Sequence, residues 1–447
     1  MALPPVLPGS THTEETPIDR ALGLALAEER EAALRWTAAL VRHNPSMPTA
    51  LCLAGRLLGE LGRQEAARGA CTVAIERAID LESLPLAVAA ARELGRFGGD
   101  PEPYLDVIAS SFCKGSPRLG PGALPPPPLP TAEAFQPLPS VLTGALLLNK
   151  ATEIVHEAKR RFAAEATRPG IQELPLFSAL GQGALRALCA AFAPLWIPEG
   201  TVVVEQGSVD SEAYLVARGE LEVRRERGGD SITLSRLTNG ALFGEIALLS
   251  AAPRAGSVIA TRPSIVLGIK RESVDTLAEV HPEVASELAS QCRARMLETL
   301  VRLSDVLRTM PEAERPALVR RLTTRTFEKG EVLLTQDERP PGLFLIASGE
   351  VAMVRREAEG DPLVLGTLGP GDVVGEVETV LRRPASADVI ATHPTVALHL
   401  ASGEFLEVAL EQPTVLAQLY QLAVRRDEEN RTIMEEEVSV AEDFVLL

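Results

Sequence analysis

The stretch Phe243-Gly244-Glu245-Ile246-Ala247-Leu248-Leu249, followed by Pro253-Arg254-Ala255-Gly256-Ser257-Val258, decides how this chain is read. It combines a glycine turn, a neighbouring glutamate, a short apolar helical turn and an arginine nine positions past the glutamate. Together these groups suit one small ligand that carries both a sugar and an anion. Amides opening a short helix after Gly244 face an anion, and the Arg254 guanidinium adds a bidentate contact. The Glu245 carboxylate does not face an anion; it accepts hydrogen bonds from sugar hydroxyls.

The same frame returns about 130 residues later as Val374-Gly375-Glu376-Val377 and Pro384-Ala385-Ser386-Ala387-Asp388-Val389. Gly200 pairs with Gly330, Gly219-Glu220 with Gly349-Glu350, Gly240 with Gly371, and Gly244-Glu245 with Gly375-Glu376. Turns that hold register over a hundred residues identify an internal duplication. Short β-rich runs between them, such as Thr201–Glu205, Ala213–Ala217 and Ile265–Leu267, predict two rolled antiparallel sandwiches. Helices over about 272–310 and 404–429 are expected to close the two units.

On these residues the first stretch resembles the phosphate-binding cassette of cyclic-nucleotide-binding domains, as found in regulatory subunits of cyclic-AMP-dependent protein kinase. The resemblance covers about 171–305 in motif and 306–425 in fold. It implies that Glu245 takes the ribose 2′-hydroxyl and Arg254 the cyclic phosphate, with Gly244, Ile246, Ala247, Ala255 and Ser257 lining the cassette. Members of the family that prefer cyclic GMP often carry threonine after the arginine. Ala255 stands there, which favours cyclic AMP over cyclic GMP.

The second copy keeps Gly375 and Glu376 but has Ala385 for the arginine and Asp388 for Ser257, with Glu378 and Thr379 in the apolar turn. It reads as a structural or partner-binding copy; Arg382 or Arg383 would have to reach in for it to hold a phosphate. Upstream, Lys159-Arg160-Arg161-Phe162-Ala163-Ala164 resembles the sequence with which kinase regulatory subunits occupy a catalytic cleft, although a solvated helical face is the simpler reading.

Residues 1–17 read as a disordered arm, and 18–113 as packed helical hairpins rich in alanine and leucine. From Leu51 the spacing of Ala54-Gly55, Leu58, Gly62, Ala67 and Ala74 resembles a tetratricopeptide unit, in which small residues let two helices approach. A proline-rich spacer follows at 114–141, a connecting helix at 142–170 and an acidic tail at 431–447. The fold expected is therefore multidomain α+β: an α-helical, tetratricopeptide-like domain, the sandwich domains 171–305 and 306–430, and helices flanking each.

The 447 residues carry 44 basic and 61 acidic side chains, a formal charge of −17 that disfavours nucleic acid as a partner. The acidic end and the absence of a helix-turn-helix after Leu400 argue against a DNA-binding regulator. Five scattered cysteines, an N-terminus broken by prolines and no apolar run near 18 residues predict a cytoplasmic protein without membrane insertion. Six histidines show no metal-ligand spacing, and no nucleophile elbow or phosphate loop appears, so neither catalytic nor metal residues nor a cofactor are expected. The expected function is a regulatory protein that binds cyclic AMP, or less readily cyclic GMP, in its first sensor and relays it to a protein partner through the helical N-terminal domain. A ligand-independent docking scaffold is the alternative.

Overall fold

The structure is a computed structural model and describes residues 15–120, 135–163, 170–227, 230–248, 253–303, 315–356, 362–411, 416–429 and 432. Most of the expected N-terminal arm, the polyproline run and most of the acidic tail lie outside the described residues.

Helix α1 (Pro17–Leu26) starts at a proline and is capped by Thr16, whose hydroxyl accepts from the Asp19 amide. It is followed by α2 (Arg30–His43), α3 (Pro48–Glu60), α4 (Gln64–Asp80), α5 (Leu84–Arg96) and α6 (Glu102–Phe112). Neighbours pack as hairpins with left-handed residues at the corners, including Gly62 and Gly98. The α3–α4 approach depends on Gly55: a Cβ there would stand 2.5 Å from Cys71 Sγ. Two further helices, α7 (Gly144–Ala163) and α8 (Gln182–Ala191), complete the layer, α7 lying against α2, α3 and α4.

The first sandwich holds β1 (Ala193–Ile197), β2 (Val202–Val204), β3 (Glu212–Arg218), β4 (Leu221–Arg227), β5 (Asp230–Leu237), β6 (Leu242–Phe243), β7 (Ser257–Ala260) and β8 (Ser264–Lys270). Its sheets run β1-β8-β3-β6 and β2-β7-β4-β5. Helices α9 (Arg271–Val280), α10 (Pro282–Leu303) and α11 (Arg315–Arg321) lead to the second sandwich. That unit holds β9 (Thr323–Phe327), β10 (Val332–Leu334), β11 (Gly342–Ser348), β12 (Val351–Arg355), β13 (Leu363–Leu368), β14 (Val373–Val374), β15 (Asp388–Ala391) and β16 (Thr395–Ala401). Its sheets, β9-β16-β11-β14 and β10-β15-β12-β13, repeat the first pair strand for strand. Even the irregularities recur, with register shifts at Val216/Arg218 and Ile346/Ser348. Between β14 and β15 lies α12 (Glu376–Leu381); α13 (Ser402–Glu411) and α14 (416–429) follow the last strand.

Alternation along β3 explains how the parts join. Tyr214 and Val216 point into the sandwich core, whereas Ala213, Leu215 and Ala217 point outward into one core shared with the helical layer. Polar contacts reinforce that face. Buried Asp19 accepts from Arg218 and, at 2.8 Å, from Arg262; buried Glu93 accepts from Arg56 at 3.1 Å and from the Trp196 indole at 2.9 Å. The described ends of the proline-rich stretch 114–141 pack on the rest of the chain. Gly120 donates to the Ile171 carbonyl and Leu138 to that of Arg35, while Phe135 stacks on Trp36. Helix α5 packs directly on β1, β3 and β8 of the first sandwich.

Candidate functional site

Phe243 ends β6 with its ring in the sandwich core, and the backbone then turns at Gly244, where φ is 74°. A side chain is excluded twice over there, since a Cβ would meet Arg254 Nη1 at 2.8 Å and the Glu212 carbonyl at 3.1 Å. The turn opens a single 3-10 turn, Glu245–Leu248, which buries Glu245, Ala247 and Leu248. Arg271, at the start of α9, donates to the Ala247 carbonyl at 3.0 Å and ties this turn to the helices that follow.

A cavity of about 250 Å³ opens beside the turn, near the lower end of the roughly 300–1,000 Å³ common for small-molecule sites. Val204, Val223, Leu237 and Val258 form an apolar floor. Gly244, Glu245, Ile246, Ala247, Arg254 and Ala255 line the polar end, so six of the seven residues expected there converge. Ser257 does not belong to the wall. Its hydroxyl accepts from the Gln206 amide at 3.0 Å, because the residue after Gly256 already starts β7 and pairs across the sheet.

Arg254 is 7% exposed, and its guanidinium is largely engaged. Nε donates to Asp210 at 3.0 Å, Nη1 to the Gly244 carbonyl at 2.8 Å, and Nη2 to both Asp210 and the Glu212 carbonyl. Of five guanidinium N–H groups, one on Nη1 is left for a ligand. The expected bidentate contact needs two free N–H groups, and in this arrangement Arg254 keeps one. The Ala255 amide, which has no partner among the described residues, stands next to it. Asp210 was not anticipated. Burial alone would raise its carboxyl, but the bonds from Arg254 and the Glu212 amide outweigh that and hold it below the usual carboxylate range.

Glu245 is 8% exposed, with Arg295 of α10 3.9 Å from its carboxylate and the Cys292 thiol 3.7 Å from its carbonyl. The far wall comes from the second sandwich: Ser348, at the end of β11, donates to the Pro253 carbonyl and borders the cavity.

The second copy has the frame without the space. Gly375 has φ 84° and Glu376 is 2% exposed, but only about 30 Å³ remains beside them, room for about two waters. Ala385 sits in the hydrophobic core, and Pro340 occupies the position equivalent to Asp210, so both members of the ion pair are gone together. Arg426 donates to Glu376 at 2.5 Å, where Arg295 stays 3.9 Å from Glu245. The two arginines share the offset of 131 that relates the two glutamates. Burial raises the Glu376 carboxyl, and the Arg426 charge opposes this without cancelling it. Arg383 pairs with Asp427 and does not border the cavity, which removes it as a substitute ligand group. Asp388, expected to repel an anion, is neutralised by Arg356 at 2.9 Å and accepts the Gln336 amide as Ser257 accepts that of Gln206.

Residues 194–281 and 324–412 each match the family model of the cyclic nucleotide-binding domain. A cAMP-dependent protein kinase regulatory subunit from Yarrowia lipolytica (strain CLIB 122 / E 150) is 27% identical over 216 residues, 48% of this chain and 54% of that protein. The chain thus spans about half the length of that curated relative. Among solved structures, the regulatory domain of Toxoplasma gondii PKA with cAMP is 23% identical, over 56% of this chain and 92% of that one, with a TM-score of 0.29. The Thermus thermophilus catabolite activator protein is 27% identical, over 33% of this chain and 80% of that one, with a TM-score of 0.25.

Proposed function

We propose, from the premise that the chain carries two cyclic nucleotide-binding domains, that the first binds one cyclic nucleotide and that the second binds none. The observation that carries this is the contrast between the two cavities, about 250 Å³ with Arg254 at its polar end against about 30 Å³ with Ala385 buried in the core. In the first, Glu245 accepts from ribose hydroxyls, while the remaining Nη1–H of Arg254 and the Ala255 amide donate to the phosphate. Ala255 in place of threonine favours cyclic AMP over cyclic GMP.

In this reading the chain is a regulatory protein and not an enzyme, working in the cytoplasm, where its five cysteines stay as free thiols. Among the described residues no helix is long and apolar enough to cross a membrane. Ribose at Glu245 competes with Arg295, which shifts α10, and α10 shares a core with the second sandwich through Met296, Leu300 and Val301. That is the route by which binding is relayed to a protein partner, with the tetratricopeptide-like helical layer as the partner-facing part. The close Gly55–Cys71 approach supports the repeat reading. The relative's name raises a protein kinase as that partner. Lys159–Ala163 is not offered as an extended inhibitor strand, since it is the last turn of α7 with Phe162 buried under the Arg77 guanidinium.

Calorimetric titration with cyclic AMP and cyclic GMP tests the proposal. One site per chain, lost in Arg254→Ala and Glu245→Ala and kept in Glu376→Ala, is the expected result. No heat from either nucleotide would leave the ligand-independent scaffold as the reading.

A further inference from the structure

Much of the helical layer is covered by its neighbours. Helix α5 faces β1, β3 and β8 of the first sandwich, and α7 covers α2 and α4. A groove of about 860 Å³ opens between the α3–α4 corner and α7. Three of its lining residues are Arg63, Lys159 and Arg160, and none of them pairs with a carboxylate among the described residues. Arg63 reaches only the Asn149 side-chain oxygen, at 2.8 Å. The acids nearby do not cancel this charge: Glu153 is taken by Lys150 at 2.9 Å, and Glu65 alone stands in the wall without an ion pair among the described residues.

One further feature faces the same way. The N-terminus of α4 has Arg63 at its cap position and no side-chain cap, so its first amides and the positive end of its dipole add to the local field. On a chain of formal charge −17, a concentrated basic groove opposes the field of the whole molecule.

We propose that this groove docks an acidic peptide segment of the partner protein, its carboxylates meeting Lys159, Arg160 and Arg63. The inference deepens the reading of the helical layer as partner-facing and does not depend on nucleotide binding. At about 860 Å³ the groove is long enough for several residues of extended chain and too large for one small anion. Complementary charge across such a contact sets the association rate and gives it a steep dependence on salt.

The test uses the full chain at low ionic strength, without nucleotide, and a fluorescent peptide of about eight glutamates read by anisotropy. Saturable binding is expected, abolished by raising the salt and weakened at least ~10-fold in the double variant Lys159→Glu/Arg160→Glu. Both side chains are exposed and face away from the core, so the variant should melt with the parent chain. Lys159→Arg/Arg160→Lys should bind like the parent. Absence of binding, or binding equal in the charge-reversed variant, would overturn the proposal. So would equal binding of a single-stranded oligonucleotide of matching charge. Binding seen only after removal of residues 431–447 would assign the groove to this chain's own acidic end instead. Because no nucleotide is present, failure here leaves the calorimetric test of the first domain untouched.

Discussion

Replacing Arg254 with alanine perturbs binding and stability at once, and the second domain shows how to separate them. Arg254 donates to Asp210 and to the carbonyls of Gly244 and Glu212, so Arg254→Ala strands one carboxylate and two carbonyl oxygens. Removing one partner of a fully buried pair costs about 3–5 kcal/mol. Here the Asp210 side chain is 38% exposed, and water recovers much of its solvation; we expect roughly 1–2 kcal/mol. The first sandwich shares its core with the helical layer, so the unfolding unit is large and each kcal/mol lowers Tm by only about 2–4 °C. The shift read by scanning calorimetry should then be roughly 2–8 °C. Loss of one charge-assisted bond to phosphate, about 1.5–3 kcal/mol, weakens nucleotide binding by roughly 10- to 150-fold.

The second domain lost both members of this pair, Ala385 standing for the arginine and Pro340 for the aspartate. Adding Asp210→Asn to Arg254→Ala removes the stranded charge while keeping an acceptor for the Glu212 amide, which lies 3.1 Å from Asp210 Oδ1. The double variant should regain at least half of the lost Tm and none of the lost affinity. A double variant no more stable than Arg254→Ala would refute the account of Asp210 as a counter-ion. Nucleotide affinity within about threefold of the parent in Arg254→Ala would refute the assignment of the phosphate.

Three further outcomes follow from other contacts. Asp19→Ala leaves Arg218 and Arg262 facing each other without their shared carboxylate, and should cost about 3–5 kcal/mol in a denaturant titration. An unchanged midpoint would show that the helical layer does not depend on this clamp. Gly55→Val forces a side chain toward Cys71 Sγ, 2.5 Å from an added Cβ, and should destabilise by about 1–3 kcal/mol. Burial holds the Glu376 carboxyl above the ordinary glutamate value of 4.5 in the folded chain, so the native chain binds the extra proton in a window that opens at 4.5 and extends upward. This carboxyl therefore makes the native state lose stability as pH rises through that window, and Glu376→Gln should flatten that part of the stability curve. An unaltered curve would contradict the burial assigned to it.

The glycine frame was legible because it sits at fixed offsets, and all four pairs have positive φ in both copies. Asp210 was not legible, since it lies 44 residues from Arg254 and an acid in a turn carries no periodic signal. Arg295 and Arg426 could have been found, because they keep the same offset of 131 as Glu245 and Glu376. Ser257 and Arg383 were misplaced for one reason: proximity in sequence to the cassette does not fix which way a strand or turn aims a side chain. The docked helical layer also had a signal. Ala213-Tyr214-Leu215-Val216-Ala217 is apolar on both faces, and a strand with both faces apolar must be covered on both.

That last point bears on why a domain without a ligand cavity persists. In the first sandwich the outer face of β3 and β8 packs on the helical layer; in the second, the equivalent face of β11 and β16 packs on α10 through Leu343, Leu345 and Leu398. The duplicated unit thus has two separable properties, a cassette on one side and a docking face on the other, and the second copy keeps the docking face beside a much smaller cavity. The end of that docking strand, Ser348, meets the Pro253 carbonyl beside Arg254, at the position where the first copy uses Arg218 to hold Asp19. The same strand end is therefore a joint in both units. The second copy supplies Ser348 to the wall of the first cavity and a face on which α10 packs, and neither contact involves its own small cavity.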